Sequence, residues 1–586
     1  MEIYKAPVAD YAFLLEAFGY DEVSRFPVYE DFDAETVKAV MDEVGKFCRN
    51  ELLPLNRLGD QKGVQFDPET GAVTPPPEFK ALYWKMIEAG FNATVHPQEY
   101  GGMGAPHMMG VSFGEFVTAS NKSFSMCPGL THGLIDAIIA YGSDEQKAAY
   151  LPKLVSGEWT GTMCLTEANA GTDLGLLKTK AVPHGDHYLL TGTKIWITFG
   201  DHDFTENIVH LVLARLPDAP EGIKGISTFL VRKMNEDGTQ NNISCGGLEH
   251  KLGIHGSPTC VMNMDEAVGE LIGEPHRGMR TMFVMMNNAR LSVGMEGIGL
   301  AEIAYQSALE FAKDRRQMRA LDPAKQDHDH PADGILKHPD VRRMLLNCRS
   351  TNEGMRGLAV YLGKQVDISH HSEDEEARAK ADDLVALLTP IVKSYFTERG
   401  FENISEALQV CGGAGYTQDW PIEQYLRDAR IALIYEGTNH IQALDLVGRK
   451  LPVDNGRLIR RFGEEVTETI RACKVNPAME EFITPLKMAS KMLTEMTMGL
   501  AMKGMADPEE AGAVASNYLN VFALTAIAFA WCHQVKHALE KNDSYSKTKV
   551  KTARYFMTNI LPEVHSLKAV IDAGKASMMD FEESEF

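Results

Sequence analysis

The 586-residue chain is long enough for three or four domains or layers, and 44% hydrophobic with 24% charged residues is the composition of a folded protein, not a disordered one. Its 81 acidic against 58 basic residues leave a formal charge of −23, which opposes long-range attraction to nucleic acid or to an anionic membrane. Nine scattered cysteines with no CxxC pair argue against a disulfide framework or a zinc site and suit a reducing compartment.

The N-terminal MEIYKAPVADYAFLL has no basic stretch followed by an apolar run, so no secretory signal is read there and a cytoplasmic location is expected. Val37, Val40, Met41 and Val44, then Phe79, Leu82 and Met86, carry helical spacing over 34–58 and 77–90. HPQEYGGMGAP interrupts the pattern, and helices resume around 111–155. From about 160 the period becomes two: YLLTGTKIWITFG, NIVHLVLARL and ISTFLVRKM are strand-like runs separated by turn-formers. The helical period returns at RGMRTMFVMMNNARLSVG and runs through Leu384, Leu387, Leu388, Ile391 and Tyr395 to about 450, with Pro390 expected to kink its helix.

KLPVDNGR, 450–457, reads as a boundary, and the chain beyond it is helical again. The run VFALTAIAFAWC, 521–532, is shorter than a bilayer requires and reads as a buried helix, not a membrane span. The division expected is therefore an extension over 1–34, a helical domain over 35–160, a β-domain over 161–280, a second helical domain over 281–450 and an extra helical domain over 451–586. His328, His330, His370 and His371 sit in acidic insertions that read as solvated, so no metal site is assigned. The basic cluster KDRRQMR, 313–319, can still bind an anion locally.

A nicotinamide site would show GxGxxG between a strand and a helix, and the chain has none. VCGGAGYTQ, 410–418, follows a helical pattern and taken alone is a helix end with glycine caps. Trp196, by periodicity alone, is a strand tryptophan in a sheet core. Glu436 is a lone acid between Tyr435 and Gly437 just before a helix start; alone it is a solvated glutamate favoured by the helix dipole, or an acid with chemistry to do.

These stretches do not stand alone. In order, MCLTEANAGTDL (163–174), TGTKIWIT (191–198), FAKDRRQM (311–318), LQVCGGAGY (408–416) and IYEGTNHIQ (434–442) resemble the five signature segments of the acyl-CoA dehydrogenase family. PQEYGGMG and YGSDEQKAAYLPKLVSGE resemble its N-terminal helical domain, so the resemblance covers roughly 35–450. It implies a mixed, mainly α fold: an N-terminal helical domain, a middle β-barrel-like domain and a C-terminal four-helix bundle, here with an extra C-terminal helical domain. The longer chain resembles a subgroup whose best-known member acts on 3-methylthiopropionyl-CoA, a step in dimethylsulfoniopropionate catabolism.

The resemblance also implies the chemistry. Removing two hydrogens from an acyl thioester needs a base for the α-proton and an acceptor for the β-hydride, which no side chain can be. FAD is the acceptor in the family, through flavin N5, and Glu436 falls at the position of the base. The corresponding stretch after the β-domain, where some members carry the base, reads MNNARLSVG with Ala289 and offers no acid from Asn287 to Arg290. Met163, Leu165, Thr166, Gly171, Thr172, Trp196 and Thr198 match flavin contacts, as do Thr438 and His440, the last standing where Gln is usual. Arg315, Gln317, Gln409, Gly412 and Gly413 match residues that reach the FAD of a neighbouring subunit, which implies a homodimer or a dimer of dimers. Asn287, Arg290, Gly437 and Arg449 match the acyl-CoA site. Electrons would pass to an electron-transfer flavoprotein or a similar acceptor. The alternatives are a medium- or long-chain acyl-CoA dehydrogenase, an acyl-CoA oxidase, and a flavin-containing DNA-binding protein of the same fold, which the acidic charge opposes.

Overall fold

The computed structural model describes residues 3–586, residue 288 by its backbone alone. The chain forms two compact units, one of residues 1–46, 106–119 and 293–586, the other of residues 47–105 and 120–292.

The second unit holds the period-two segments in a seven-stranded sheet: β1 Trp159–Cys164, β2 Lys180–His184, β3 His187–Thr198, β4 Asn207–Arg215, β5 Ile226–Arg232, β6 Ile243–Leu248 and β7 Thr259–Ile272. Antiparallel pairings run β4 to β5, β5 to β7, β7 to β3 and β3 to β2, and the bridge Lys180 to Arg215 returns β2 to β4. The sheet thus closes on itself, which makes it barrel-like. β1 lies parallel to β4, Trp159 against Asn207 through Cys164 against Val212. β4 is buried from Asn207 to Ala214 because both its faces are covered. Val212 and Ala214 point to a core with Leu190, Phe229 and Cys260, while Leu211 and Leu213 pack with Leu134, Ile138 and Leu154 of the helices Lys122–Tyr141 and Asp144–Val155.

The first unit is helical. Its main elements are α1 Val8–Ala17, α2 His107–Ser120, α3 Gly278–Asp314 (from residue 293), α4 Pro339–His371, α5 Glu375–Cys411, α6 Asn439–Asp445, α7 Arg457–Cys473, α8 Glu480–Ala506, α9 Pro508–Lys541 and α10 Ser544–Tyr555. α5 runs unbroken through Pro390. α3 and α5 cross backbone to backbone: a Cβ on Gly297 would stand 2.3 Å from Phe396 O, and one on Gly400 2.4 Å from Gly297 O. α9 is long and apolar enough to cross a membrane by length and composition, yet 78% of its most apolar window is buried inside the protein. Residues 521–532 are all buried, as a core helix requires.

One buried ionic cluster ties this unit together. Arg356 of α4, fully buried, donates from Nη1 to Asp10 Oδ2 at 2.5 Å, from Nε to Glu115 Oε2 at 2.8 Å, and from Nη2 to Glu115 Oε1 at 2.6 Å and Glu302 Oε2 at 3.1 Å. Lys549 of α10 lies 2.5 Å from Asp10 Oδ1 and 2.9 Å from Glu353 Oε2. Burial by itself would raise the Asp10 carboxyl, but Lys549 and Arg356 outweigh it and hold it at about 2.

A carboxyl held below its ordinary 3.8 stabilises the fold above about pH 4 and loses that contribution as pH falls towards 2. Asp10→Asn should therefore lower stability at pH 7 by about 2 kcal/mol, the free-energy equivalent of the shift. Denaturant unfolding across pH should show the gap to the native protein closing between about pH 4 and 2, and a gap unchanged over that window would contradict the assignment.

Candidate active site

In the sheet unit the first two signature segments meet. Ile195 N–H donates to Thr166 O at 2.9 Å, and Glu167 and Ala170 exchange backbone bonds of 3.1 and 3.0 Å, so the Ala168-Asn169 pair forms a tight turn. Glu167 is the keystone of that turn. Its carboxylate accepts from Lys178 N at 2.6 Å, from Thr179 N at 3.0 Å and Thr179 Oγ1 at 2.6 Å, and from the fully buried Lys194 Nζ at 2.8 Å. Burial and these partners compete on both groups: the net effect lowers Glu167 and, because desolvation dominates, lowers Lys194 too.

The β3–β7 register slips between Lys194 and Ile197, a bulge that re-aims the residues inside it. Trp196 sits in that bulge at φ 61 with its side chain 59% exposed, so it is not the sheet-core tryptophan that periodicity alone suggests. Thr198, half-buried, pairs with Thr259. Met163 and Thr166 are half-buried, Leu165 is buried, and Gly171 and Thr172 are exposed. In the same unit Arg290 is 4% exposed while Asn287 is open to solvent.

In the helical unit, Phe311 and Trp420 meet edge to face at 5.2 Å, which brings the end of α3 beside the turn after α5. Arg315, Gln317, Gln409, Gly412 and Gly413 are all exposed, and nothing lies within 4 Å of where a Cβ on either glycine would stand. The Arg315–Gln317 strip is braced from below: Ile335 N–H donates to Arg315 O at 3.0 Å and Gln317 N–H to Asp333 O at 2.9 Å. Backbone donors, Ala320 N first, hold the Asp333 carboxyl at about 2.

Glu436 lies in a left-handed loop, φ 57, followed by Gly437 at φ 81. For a glutamate that conformation costs of order 1–3 kcal/mol and persists only when neighbours fix it. The neighbours are visible. Gln442 Nε2 donates to Glu436 O at 3.0 Å and to Gly437 O at 3.3 Å, and the buried Lys393 Nζ donates to Gly437 O at 2.8 Å and Asn439 Oδ1 at 3.1 Å. Thr438 caps α6, its Oγ1 accepting from Ile441 N at 3.3 Å. The Tyr435 hydroxyl donates to Glu296 of α3, and burial together with Glu296 and Glu436 pushes that phenol well above its ordinary value. His440 is turned to Ser516 Oγ at 3.0 Å, and Arg449, 60% exposed, pairs with Asp445 at 2.8 Å.

Lys194, Lys393, Gln442 and Glu296 escaped sequence reasoning. Glu296 lies one helical heptad beyond Ala289, the position inspected for an acid, and Lys194 is legible only as a charge inside a strand. The exposed indole of Trp196 offers a face on which a flavin ring can stack, so the residue present fits FAD.

The chain is similar to known proteins over most of its length. The sequence matches, in order, the families described as acyl-CoA dehydrogenase N-terminal domain (residues 34–158), middle domain (162–267) and C-terminal domain (276–451), and then acetyl-CoA dehydrogenase C-terminal like (462–582). It is 46% identical over 473 residues to 3-methylmercaptopropionyl-CoA dehydrogenase of Ruegeria pomeroyi, covering 80% of this chain and 79% of that one. It is 32% identical to a butyryl-CoA dehydrogenase of Syntrophomonas wolfei, over 95% of each chain. Among solved structures, an acyl-CoA dehydrogenase of Bacillus anthracis complexed with FAD shares the fold, with a TM-score of 0.76 at 23% identity over 94% of this chain and 90% of that one.

Lys194→Met should strip the buried cation from the half-buried Glu167 and destabilise the protein by about 3 kcal/mol, the lower end for a broken buried pair because three other donors remain. Thermal unfolding against the double variant Lys194→Met, Glu167→Gln checks it: the second change should recover part of the loss.

Proposed function

The chain belongs to the acyl-CoA dehydrogenase family, and on that premise we propose that it oxidises 3-methylmercaptopropionyl-CoA, or another short acyl-CoA, to the trans-2-enoyl-CoA, with Glu436 as the base. It is a FAD-dependent oxidoreductase, and bound FAD supplies the acceptor for the β-hydride. The observation that carries the assignment of the base is the loop at 435–439: a carboxylate in a strained left-handed conformation, held by buried donors from Lys393 and Gln442.

Glu436 takes the α-proton onto its carboxylate, a step favoured when an apolar acyl chain excludes water and raises the carboxylate's affinity for the proton. The Glu436 N–H would donate to the thioester oxygen as enolate charge develops, and Gly437 carries no Cβ to obstruct it. Thr166, Trp196 and Thr198 would hold the flavin. Arg449 is open to a CoA moiety. Electrons leave to an electron-transfer flavoprotein or a similar acceptor.

The preference for a short chain rests on the 46% identical relative and on the butyryl-CoA dehydrogenase. A thioether sulfur is apolar and close to a methylene in bulk, so a pocket for one admits the other. The working form is at least a homodimer. Supporting this, Met318, Leu321 and Tyr416 stand 77%, 81% and 82% exposed in and beside the segments that carry Arg315, Gln317, Gly412 and Gly413, an apolar surface a second copy would cover.

Glu436→Gln should keep FAD and fold while losing at least 10²–10⁴-fold in flavin reduction by acyl-CoA, because an amide cannot accept the proton. Stopped-flow absorbance of the flavin reads the rate directly, and near-normal reduction would place the base elsewhere. Across butyryl-, 3-methylmercaptopropionyl- and palmitoyl-CoA, kcat/KM should be highest for the two short substrates and within about tenfold between them, since one methylene is worth about 1–3 kcal/mol. A preference for palmitoyl-CoA would overturn the substrate and leave the reaction standing.

A further inference from the structure

We propose that Lys393 and Gln442 are positioning residues for the reaction: they set the left-handed loop that aims the Glu436 carboxylate, without touching the reacting atoms. The inference rests on the assignment of Glu436 as the base and goes beyond it, because none of the sequence segments that point to Glu436 contains Lys393.

Lys393 lies on α5 among side chains that water does not reach: Ile391, Val392 and Phe396 are each fully buried, and so is Lys393 itself. An ammonium group at such a place is costly unless its donors are used, and an apolar residue of similar length would pack there more cheaply. It donates into the loop twice, to Gly437 O at 2.8 Å and to Asn439 Oδ1 at 3.1 Å. Asn439 in turn is held on α5, its Nδ2 donating to Ser394 O at 3.2 Å and its Oδ1 accepting from Thr397 Oγ1 at 3.3 Å. Gln442, also fully buried, closes the other side by donating to Glu436 O and Gly437 O. The two successive carbonyls at 436 and 437 are thus each held by a buried donor.

That arrangement answers a specific need. A glutamate relaxes out of φ 57 unless its neighbours forbid it, and the relaxation swings its side chain. Misplacing a reacting group by about 1 Å costs of order 10²-fold in rate even when the altered residue is remote from the chemistry. Substrate affinity depends on other residues, so the loss belongs to kcat.

The test uses the FAD-loaded full chain and compares Lys393→Met, Lys393→Gln and Gln442→Met with the native enzyme on butyryl-CoA. Lys393→Met and Gln442→Met should lower kcat by about 10–100-fold while KM stays within about threefold and FAD content and flavin absorbance stay unchanged. Lys393→Gln, which can still donate to Gly437 O, should recover part of that loss. Gln442→Met carries the test if Lys393→Met does not fold. The proposal is overturned if kcat stays within about threefold in the variants that fold, if the loss is entirely in KM, or if Lys393→Gln is no better than Lys393→Met. Glu436→Gln runs in parallel. If it is inactive while the other variants are normal, only the positioning role fails; if it turns over, the base assignment fails first.

Discussion

The helical unit depends on a guanidinium placed where water cannot reach it. Arg356 holds Asp10 of α1, Glu115 of α2 and Glu302 of α3 from its own position on α4, and only the arginine fork, with five donors in one plane, can serve three carboxylates at once. Lys549 and Arg349 add two more cations at Asp10 and Glu353. Burial raises the Glu115 carboxyl despite Arg356 beside it, and it raises the Tyr11 phenol that donates to Glu115, so part of the negative charge is already discouraged inside the cluster. Four helices are therefore registered by one guanidinium, and Lys549 ties the extra C-terminal domain to the same cluster.

That registration reaches the loop of Glu436, the proposed base. Glu302, on Arg356, and Glu296, on Tyr435, are carried by the same helix, so fixing α3 by the first fixes where the second meets the residue before Glu436. The glycine crossing of α3 with α5 then sets Lys393 and Ser394 at the height of Gly437 and Asn439. The half-buried Glu436 and its buried supports are consequences of helix register, which a bundle packed with interchangeable leucines would leave free to slide.

Much of this was legible in the sequence, and the reasons are physical. The near-continuous apolar run in NIVHLVLARL reflects a strand buried on both faces and the 3.6 period from Leu384 to Tyr395 a packed helix, so β4 and α5 fall where those patterns run. Burial also explains the apolar run at 521–532, the middle of α9. What stayed hidden was backbone conformation. Trp196, Met318 and Glu436 are left-handed non-glycine residues, one in each of three signature segments, and no property of tryptophan, methionine or glutamate favours that conformation. The partners of buried charge were hidden too: Lys393 and Lys194 look like surface lysines until the chain that surrounds them is in place, and nothing in VADYAFLL announces that Asp10 will meet an arginine 346 residues away.

The span of that cluster bears on how the protein is made. Asp10 meets Tyr545 across 535 residues, so α1 emerges from the ribosome first and waits for almost the whole chain before its carboxylate finds its partners. The sheet unit, complete by residue 292, can fold while the rest is still being synthesised. The helical unit cannot close until α9 and α10 arrive, and until then the apolar surface that α9 covers stands open to water. Such late, long-range closure is slow, and it makes the nascent helical unit a natural client for a chaperone that shields hydrophobic surface.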